Sequence, residues 1–312
     1  MRARPDVGWL TSVALLLVAS VFTGQRLAQA QVRGVYPVGM SATGAGSLPD
    51  SGFSYSNLFI LYSRDQFKDA DGRRLPVVGS HSVLIDMNTF VWASKKKILG
   101  GARYSAAASL PISNNSLSAE GEALSGGGGF ADSFYQPLIL GWQTERADFK
   151  VAYGFLAPTG RFSAGKSDNV GSGYWTHVLS SGQTFYLTKN KSTAVSAFQM
   201  YEFHGAQTGT DIHPGQTLNL DYSLTQTTPL PKEMRLQLGL VGYGQWQTTD
   251  KSGPTITPEQ AKAHYKVNAL GFASNVILPA GKASLGFKYF REFANRSTFQ
   301  GYTLQISGAI QF

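Results

Sequence analysis

Two residues of this sequence have the types and spacing that could support catalysis. His177 and Ser181 lie in the stretch THVLSSG, and a serine nucleophile needs an adjacent base such as histidine. Together they would point to hydrolysis of a lipid ester. In an extended strand, however, residues four positions apart are separated by ~13 Å, too far for the hydrogen bond that a general base needs. We therefore expect no enzyme activity and keep lipid hydrolysis as the third of three hypotheses.

Two further motifs resemble ligand-binding loops but lack a necessary part. Asp69-Ala70-Asp71-Gly72 begins like a calcium loop, yet no glutamate follows at the required distance. The glycine run from Ser125 to Gly129 has no Lys-Ser or Lys-Thr after it, so it is not a phosphate-binding loop. The chain has no cysteine, which excludes disulfides and thiol chemistry. We expect an exposed polar loop and a flexible loop at these positions, and no metal or cofactor.

The charge pattern argues against nucleic-acid binding. The formal net charge is +8, but no basic run is longer than Lys95-Lys96-Lys97, so the sequence has no basic stripe of the kind that follows a phosphate backbone. Diffuse positive charge on an exported protein suits anionic lipid headgroups or anionic solutes about equally.

The N-terminus has the three parts of a secretory signal peptide. Arg2 and Arg4 precede the apolar stretch from Gly8 to Phe22, and Ala28-Gln29-Ala30 matches a cleavage site, which predicts a signal peptide over residues 1–30. The alternative, a membrane anchor, is disfavoured because the apolar stretch is shorter than the ~20 residues of a spanning helix. No later apolar run approaches that length. With 12% aromatic residues and 35 glycines, the exported chain is predicted to be all-β.

Alternation of apolar and polar residues between turn signals predicts twelve strands. They are Phe53–Ser63, Ser82–Ala93, Gly101–Pro111, Ser133–Gln143, Phe149–Leu156, Gly173–Leu187, Thr193–Phe203, Gln216–Thr225, Arg235–Thr248, Tyr265–Leu278, Ala283–Phe293 and Gln300–Phe312. The connections between them alternate between long and short, except for the short last outer connection, Ala294–Phe299. Long outer loops and short periplasmic turns are typical of outer-membrane barrels, whereas a soluble sandwich has no reason to alternate loop length. Residues 53–312 are therefore predicted to form a transmembrane up-and-down antiparallel β-barrel of about twelve strands in the Gram-negative outer membrane.

The alternation also predicts which side chains face the interior. Apolar residues such as Leu218, Leu220 and Leu224 would face lipid, and the polar residues between them would face the lumen. The interior candidates are Asp86, Asn88, Lys150, Asn219, Asp221, Arg235, Gln237, Lys288, Glu292 and Gln305. They could form a polar constriction that selects solutes, or they could be wall residues that only satisfy one another. The faces of the strands around Phe198 and Leu270 are ambiguous.

The last strand and the segment before the first strand are both distinctive. Tyr302 and Phe312 share the apolar face of the last strand and lie ~33 Å apart along it, so each would reach one aromatic girdle of the ~25 Å apolar band. Residues 31–52 are too rich in Gly, Pro and Ser to form a strand. They could fill the lumen as a plug or trail in the periplasm, and the apolar residues Tyr36, Pro37 and Met40 favour the plug.

Three stretches resemble the outer-membrane barrel family named for the meta-pathway of phenol degradation. They are GVYPVGMSATGAGSLPDSGFSYSNLFILYSRDQFKDADGR, YGFLAPTGRFSAGKSDNVGSGYWTHVLSSGQTFYL and LGFKYFREFANRSTFQGYTLQ. The resemblance implies a transport-associated barrel of about this strand count that takes up small aromatic or other hydrophobic solutes. It also implies that the terminal Phe312 serves assembly by the barrel-assembly machinery.

We therefore expect an outer-membrane channel or transporter for small hydrophobic or aromatic solutes. A structural or adhesive barrel that uses its long outer loops is the second hypothesis. The expected partners are outer-membrane lipid and lipopolysaccharide, the barrel-assembly machinery and the solute.

Overall fold

The chain forms a closed antiparallel β-barrel. A computed structural model describes residues 33–312 except 77–78, 120–121 and 167. The predicted signal peptide and residues 31–32 lie outside the described residues. The strands are β1 (Gly52–Phe67), β2 (Gly79–Ile98), β3 (Ala102–Ala119), β4 (Glu122–Phe130), β5 (Ser133–Gln143), β6 (Ala147–Ala157), β7 (Thr176–Tyr186), β8 (Thr193–His204), β9 (Thr217–Pro229), β10 (Arg235–Gln247), β11 (Lys266–Ile277), β12 (Ala283–Glu292) and β13 (Phe299–Gln311).

Twelve of these strands form the wall. Each pairs with its neighbours in the chain, β3 pairs directly with β5, and β1 closes the ring by pairing with β13. Closure leaves no unpaired strand edge within the wall, which a strand in hydrocarbon requires because lipid offers no hydrogen bonds. The predicted twelve-stranded up-and-down barrel is confirmed.

The predicted loop from Ile112 to Asp132 is partly wrong. β3 continues to Ala119, and β4 turns back along it, so that Ile112 is opposite Phe130. The glycine run expected to be a flexible loop therefore belongs to β4. The alternation could not show this strand because consecutive glycines carry no side chains from which a face could be read.

The connections at the two ends of the barrel differ in length, as expected. The turns at the periplasmic end are short, for example residues 99–101 and 144–146. The outer connection 248–265 carries a short helix, α1 (Pro258–Lys262), which begins with a capping box between Thr257 and Gln260. Among the described residues, no helix has both the length and the apolar character to cross a membrane.

The exterior is apolar and the interior largely polar. On β9, Tyr222 and Leu224 are exposed on the outside, whereas Asn219 and Asp221 are fully buried on the inside. On the two strands with ambiguous faces, Phe198 points inward with 4% exposure and Leu270 points outward with 53% exposure. The outer surface thus presents to lipid the apolar band that a transmembrane barrel needs.

The faces of β2 are the reverse of the sequence-based assignment. Met87 is buried inside the barrel, and Val83 and Ile85 pack against the hydrophobic cluster in the lumen. Asp86 and Asn88 therefore lie on the outer face, together with the exposed Trp92. The expectation that Asp86 and Asn88 line the lumen is wrong.

These two outward polar residues are paired with side chains of β1. The Asn57 amide donates to the Asp86 carboxylate at 2.5 Å, and the Tyr55 hydroxyl donates to the Asn88 carbonyl oxygen at 2.6 Å. A polar group facing hydrocarbon is costly unless it is hydrogen-bonded. The pairing explains how β2 can carry polar residues on its lipid face.

Phe312 lies at the periplasmic seam where the barrel closes. Its backbone N–H donates to the carbonyl of Phe53 at 2.9 Å, and the two rings lie 6.0 Å apart. Tyr302, ten residues earlier, lies 6.2 Å from the ring of Tyr289 on the neighbouring strand. The two aromatic side chains of the last strand thus contact different neighbours at its two ends.

Deletion of Phe312 is expected to reduce the yield of folded barrel in the outer membrane. The deletion removes a hydrogen bond of the closing strand pair and the terminal aromatic residue expected to serve assembly. The measurement is the amount of heat-modifiable protein in the outer-membrane fraction. Phe130→Ala is the matched control, because that ring is 65% exposed on β4, outside the closed wall. An unchanged yield after deletion would contradict the role of Phe312.

Candidate functional site

The candidate site is the lumen, which the N-terminal segment occupies. This segment, residues 33–50, begins beside the outer ends of β12 and β13 and descends to the periplasmic ends of β6 and β7. Its apolar residues Tyr36 and Val38 are buried in one cluster with wall residues such as Ile60 and Phe198. The barrel therefore encloses a small hydrophobic core formed by the segment and the wall.

The outer end of the segment is fixed by a buried ion pair. Arg33 donates through Nη1 to Glu292 Oε1 at 2.6 Å and through Nη2 to Glu292 Oε2 at 3.0 Å. The Arg33 guanidinium also donates to the Phe299 carbonyl at 2.5 Å and to Thr298. A bidentate guanidinium–carboxylate pair is among the strongest side-chain interactions in a protein. Glu292 thus holds the segment to the wall at this end.

The middle of the segment is bound by a second buried carboxylate, that of Asp221. The Tyr36 hydroxyl donates to it at 2.6 Å, and the backbone N–H groups of Gly39 and Ser41 donate at 2.8 and 3.0 Å. Glu202 accepts in the same way from the backbone N–H groups of Val35 and Tyr36. Wall carboxylates therefore satisfy the donors of a segment that has no strand partner.

Wall donors bind the carbonyl groups of the same stretch. Lys288 Nζ donates to the carbonyls of Gly39 and Met40 at 3.0 and 2.7 Å. The Gln305 amide donates to the Val38 carbonyl at 2.9 Å. Donors and acceptors of the wall thus both serve the backbone of the segment, which a generic polar wall would not require.

At the periplasmic end the segment passes very close to the wall. The Gly46 N–H donates to Thr184 Oγ1 at 3.0 Å. A Cβ at Gly46 would lie 2.1 Å from the Asp148 carbonyl, and one at Gly182 would lie 2.0 Å from the Ala45 carbonyl. Glycine is therefore required on both sides of this crossing. Arg103 then binds the Pro49 carbonyl at 2.9 Å just before β1 begins.

The remaining interior candidates take other positions. Asn219 is fully buried and donates to Glu202 at 2.8 Å, so it supports a carboxylate that binds the segment. Lys150 lies on the inward face of β6 and is half-buried. Arg235 and Gln237 lie at the periplasmic end of β10, where Arg235 is exposed. The candidates that contact the segment directly are thus Asp221, Lys288, Glu292 and Gln305.

Sequence reasoning missed several charged residues of the interior, among them Arg33, Arg64 and Glu202. Arg33 lies in the segment, Arg64 lies at the outer end of β1, and Glu202 lies on β8, whose faces were ambiguous. Arg64 and Glu202 are 5% and 0% exposed. The sequence signal for Glu202 was a single charged residue within its predicted strand, since a charged side chain there must avoid lipid.

The outer loop between β6 and β7 is anchored by Asp132. Its carboxylate accepts from the backbone N–H groups of Gly160 and Ser172 at 3.0 and 2.7 Å. Burial raises the pKa of the Asp132 carboxyl, and these hydrogen bonds, with one from the Ser172 hydroxyl, oppose the rise. The loop is therefore held near the outer opening of the barrel by one buried acid.

The residues considered for lipid hydrolysis have separate partners. His177 is exposed on the outer face of β7, and its Nδ1 lies 2.9 Å from the Tyr153 hydroxyl. Ser181 donates to the Gln199 side chain at 2.8 Å. Among the described residues, no group of three or more His, Asp or Glu side chains is placed to hold a metal ion.

Lys288→Ala is expected to shift the ion selectivity of the barrel towards cations, because it removes a positive charge from the lumen wall. The measurement is the reversal potential in a salt gradient across a planar bilayer. Asp86→Ala is the control, since Asp86 lies on the lipid face and its removal should leave the reversal potential unchanged. An equal shift for Asp86→Ala would contradict the assignment of the two faces.

One solved structure shares this fold. The crystal structure of an outer membrane channel from Pseudomonas putida F1 aligns with a TM-score of 0.70 and 13% identity, covering 86% of this chain and 98% of that chain. The β domain of the Bordetella autotransporter BrkA aligns with a TM-score of 0.49 and 13% identity, covering 84% of this chain and 100% of that chain. No curated protein sequence matches this chain.

A model of one protein family also matches most of this chain. The model described as "Putative MetA-pathway of phenol degradation" matches residues 64–307, which run from the end of β1 into β13 and so cover most of the barrel. The matched region contains Asp221, Lys288 and Glu292, the wall residues that bind the N-terminal segment. This chain belongs to the phenol-degradation family of outer-membrane β-barrels.

Proposed function

We propose that this protein is an outer-membrane channel for small hydrophobic or aromatic solutes, and that the N-terminal segment controls passage through its lumen. The observation that carries the proposal is the way the segment is bound. Among the described residues, every hydrogen bond between residues 33–50 and the wall uses at least one side chain, and no backbone pairing joins the segment to a strand. The segment can therefore shift without breaking the β-ladder that seals the wall.

The choice of solute class rests on the family and on the lining of the lumen. The interior combines apolar residues such as Ile60 and Met87 with charged residues such as the half-buried Lys288 and the buried Asp221. A site of this mixed kind suits solutes with an apolar body and one polar group better than it suits sugars or inorganic ions. The family description names phenol degradation, which agrees with aromatic solutes.

Liposome swelling with the purified protein tests the proposal. Swelling in phenol or an aromatic acid, and slower swelling in a disaccharide, is the expected result. Absence of swelling with every solute would favour a structural or adhesive barrel. Growth of a deletion strain on phenols, aromatic acids and fatty acids would then identify the solutes that depend on this channel in the cell.

A fatty-acid release assay tests the enzymatic alternative. Purified protein is incubated with phospholipid vesicles, and His177→Ala serves as the control. We expect no release from either protein, because His177 and Ser181 have separate partners. Release that disappears in His177→Ala would contradict the assignment as a channel without catalytic activity.

A further inference from the structure

A cavity lies beside the N-terminal segment, between it and the outer halves of β1 and β2. Its volume is about 260 Å³, and it is partly open. The wall contributes Tyr62, Arg64, His81, Val83 and Ile85, and the segment contributes residues 33–38. Pockets for drug-sized ligands begin at ~300 Å³, so this cavity suits a smaller molecule such as one ring with a short substituent.

Arg64 places a guanidinium with few hydrogen bonds in the lining of the cavity. The residue is 5% exposed, its Nη1 lies 3.3 Å from His81 Nδ1, and its guanidinium carbon lies 4.5 Å from the centroid of the Tyr62 ring. Its buried Nε has no hydrogen-bond partner among the described residues. Glu292 Oε1 lies 3.8 Å from that atom, too far for a hydrogen bond. Among the described residues, the Arg64 guanidinium makes one hydrogen bond, to His81, although it has five N–H donors.

The other arginine of the cavity differs in this respect. Arg33 donates to both oxygens of Glu292, to the Phe299 carbonyl and to Thr298. The single carboxylate of Glu292 is therefore occupied mainly by Arg33. Two guanidiniums face one carboxylate, which leaves one positive charge that the lining does not neutralise.

The part of the wall next to Arg64 is apolar, because Val83 and Ile85 of β2 pair with Tyr62 and Ile60 of β1. Val83 and Ile85 project from β2, and the ring of Phe299 is stacked on His81 with centroids 4.7 Å apart. These surfaces would cover the face of an aromatic ring whose polar substituent points at Arg64. An apolar surface beside one uncompensated cation is the chemistry that an aromatic carboxylate matches.

We propose that this cavity binds a small aromatic carboxylate, with its carboxylate on Arg64 and its ring against Val83 and Ile85. This inference rests on the proposed channel function only in placing the site on the path of the solute. A neutral phenol could fill the same volume, but it would leave the charge of Arg64 uncompensated. The site therefore selects aromatic acids over neutral aromatic compounds of equal size.

Calorimetric titration of the purified full-length protein with benzoate tests the inference. Benzamide has the same shape without the charge, and acetate has the charge without the ring. Benzoate should bind measurably, and both analogues should bind about tenfold more weakly or worse. Arg64→Gln should weaken benzoate by a similar factor and leave benzamide unchanged, whereas Arg64→Lys should retain part of the preference for benzoate.

Arg296→Gln is the matched control, because Arg296 is an exposed arginine of the outer connection 293–298 and does not line the cavity. It should bind benzoate like the original protein. Heat-modifiability on gels shows whether each variant is folded, and a misfolded Arg64→Gln leaves the comparison of benzoate with benzamide as the test. Equal affinity for benzoate and benzamide, no benzoate binding, or equal losses in Arg64→Gln and Arg296→Gln would overturn the inference.

Swelling assays keep the two proposals apart. Solute-dependent swelling without benzoate binding would overturn the carboxylate site and leave the channel in place. Benzoate binding that is lost in Arg64→Gln, in a barrel that passes no solute, would support the site and contradict the channel.

Discussion

Replacing Asp221 with alanine is expected to raise the ion conductance of the purified barrel severalfold. The Asp221 carboxylate is the common acceptor for the Tyr36 hydroxyl and for the backbone N–H groups of Gly39 and Ser41. Hydrogen bonds to a charged group each contribute about 1.5–3 kcal/mol. The variant therefore loses about 4 kcal/mol or more of binding between the segment and the wall.

A loss of that size is enough to change the state of the lumen. Each 1.4 kcal/mol shifts an equilibrium about tenfold, so a segment bound nearly all the time would be displaced in a substantial fraction of molecules. Single-channel recording in planar bilayers measures the effect as larger or more frequent openings. Since Asp221 lies on the inward face of β9 and makes no contact with lipid, the barrel itself should remain folded.

The matched control is Asp86→Ala, which removes the same side chain from the outer face of the wall. Tyr36→Phe removes one of the three donors and should give a smaller increase than Asp221→Ala. If Asp221→Ala conducts like the original protein and like Asp86→Ala, the segment does not limit passage.

The strand count followed from the sequence where one face of a strand meets lipid and the other meets polar groups. β9 shows the principle most clearly, because Leu220 and Leu224 alternate with Asn219 and Asp221. Hydrocarbon outside and hydrogen-bonding groups inside impose opposite chemistry on neighbouring residues, so the pattern is strong. The alternating loop lengths then set the strand order, since antiparallel neighbours need only short turns at one end.

β2 was misread because both of its faces are partly apolar. Leu84 and Trp92 meet lipid on one face, while Val83 and Ile85 on the other pack against the buried cluster that includes the N-terminal segment. Alternation identifies a strand but cannot say which face is inside when a lumen contains its own hydrophobic core. The presence of the segment inside the barrel is therefore the physical reason for the error.

The residues that bind the segment could be predicted only as members of a polar lumen. Asp221, Lys288 and Glu292 share the inward face with many other polar residues, and the sequence does not show which of them meets a group of the distant N-terminal segment. Arg33 and Glu292 are separated by 259 positions. A contact of that separation depends on closure of the barrel, which no local pattern encodes.

Replacing Glu292 with alanine is expected to cause the largest loss of stability of any single substitution in the wall. Its buried carboxylate binds Arg33, accepts from Gly301 N at 3.0 Å and Tyr243 Oη at 3.1 Å, and lies 3.8 Å from Arg64 Nε. Removing one partner of a buried ion pair leaves the other charge uncompensated and costs about 3–5 kcal/mol. Here two guanidiniums would face each other across the gap, so the free energy of unfolding should fall by at least that much.

Denaturant-induced unfolding in lipid vesicles, followed by tryptophan fluorescence, measures this loss. Glu259→Ala is the control, because Glu259 is exposed on α1 and its removal should leave the midpoint unchanged. Glu292→Gln keeps the shape and some hydrogen bonds without the charge, so its midpoint should fall between the two. A Glu292→Ala midpoint equal to that of Glu259→Ala would show that the segment and the outer ends of β12 and β13 are held by packing alone. In that case the buried charges of the lumen would serve solute recognition instead of the fold.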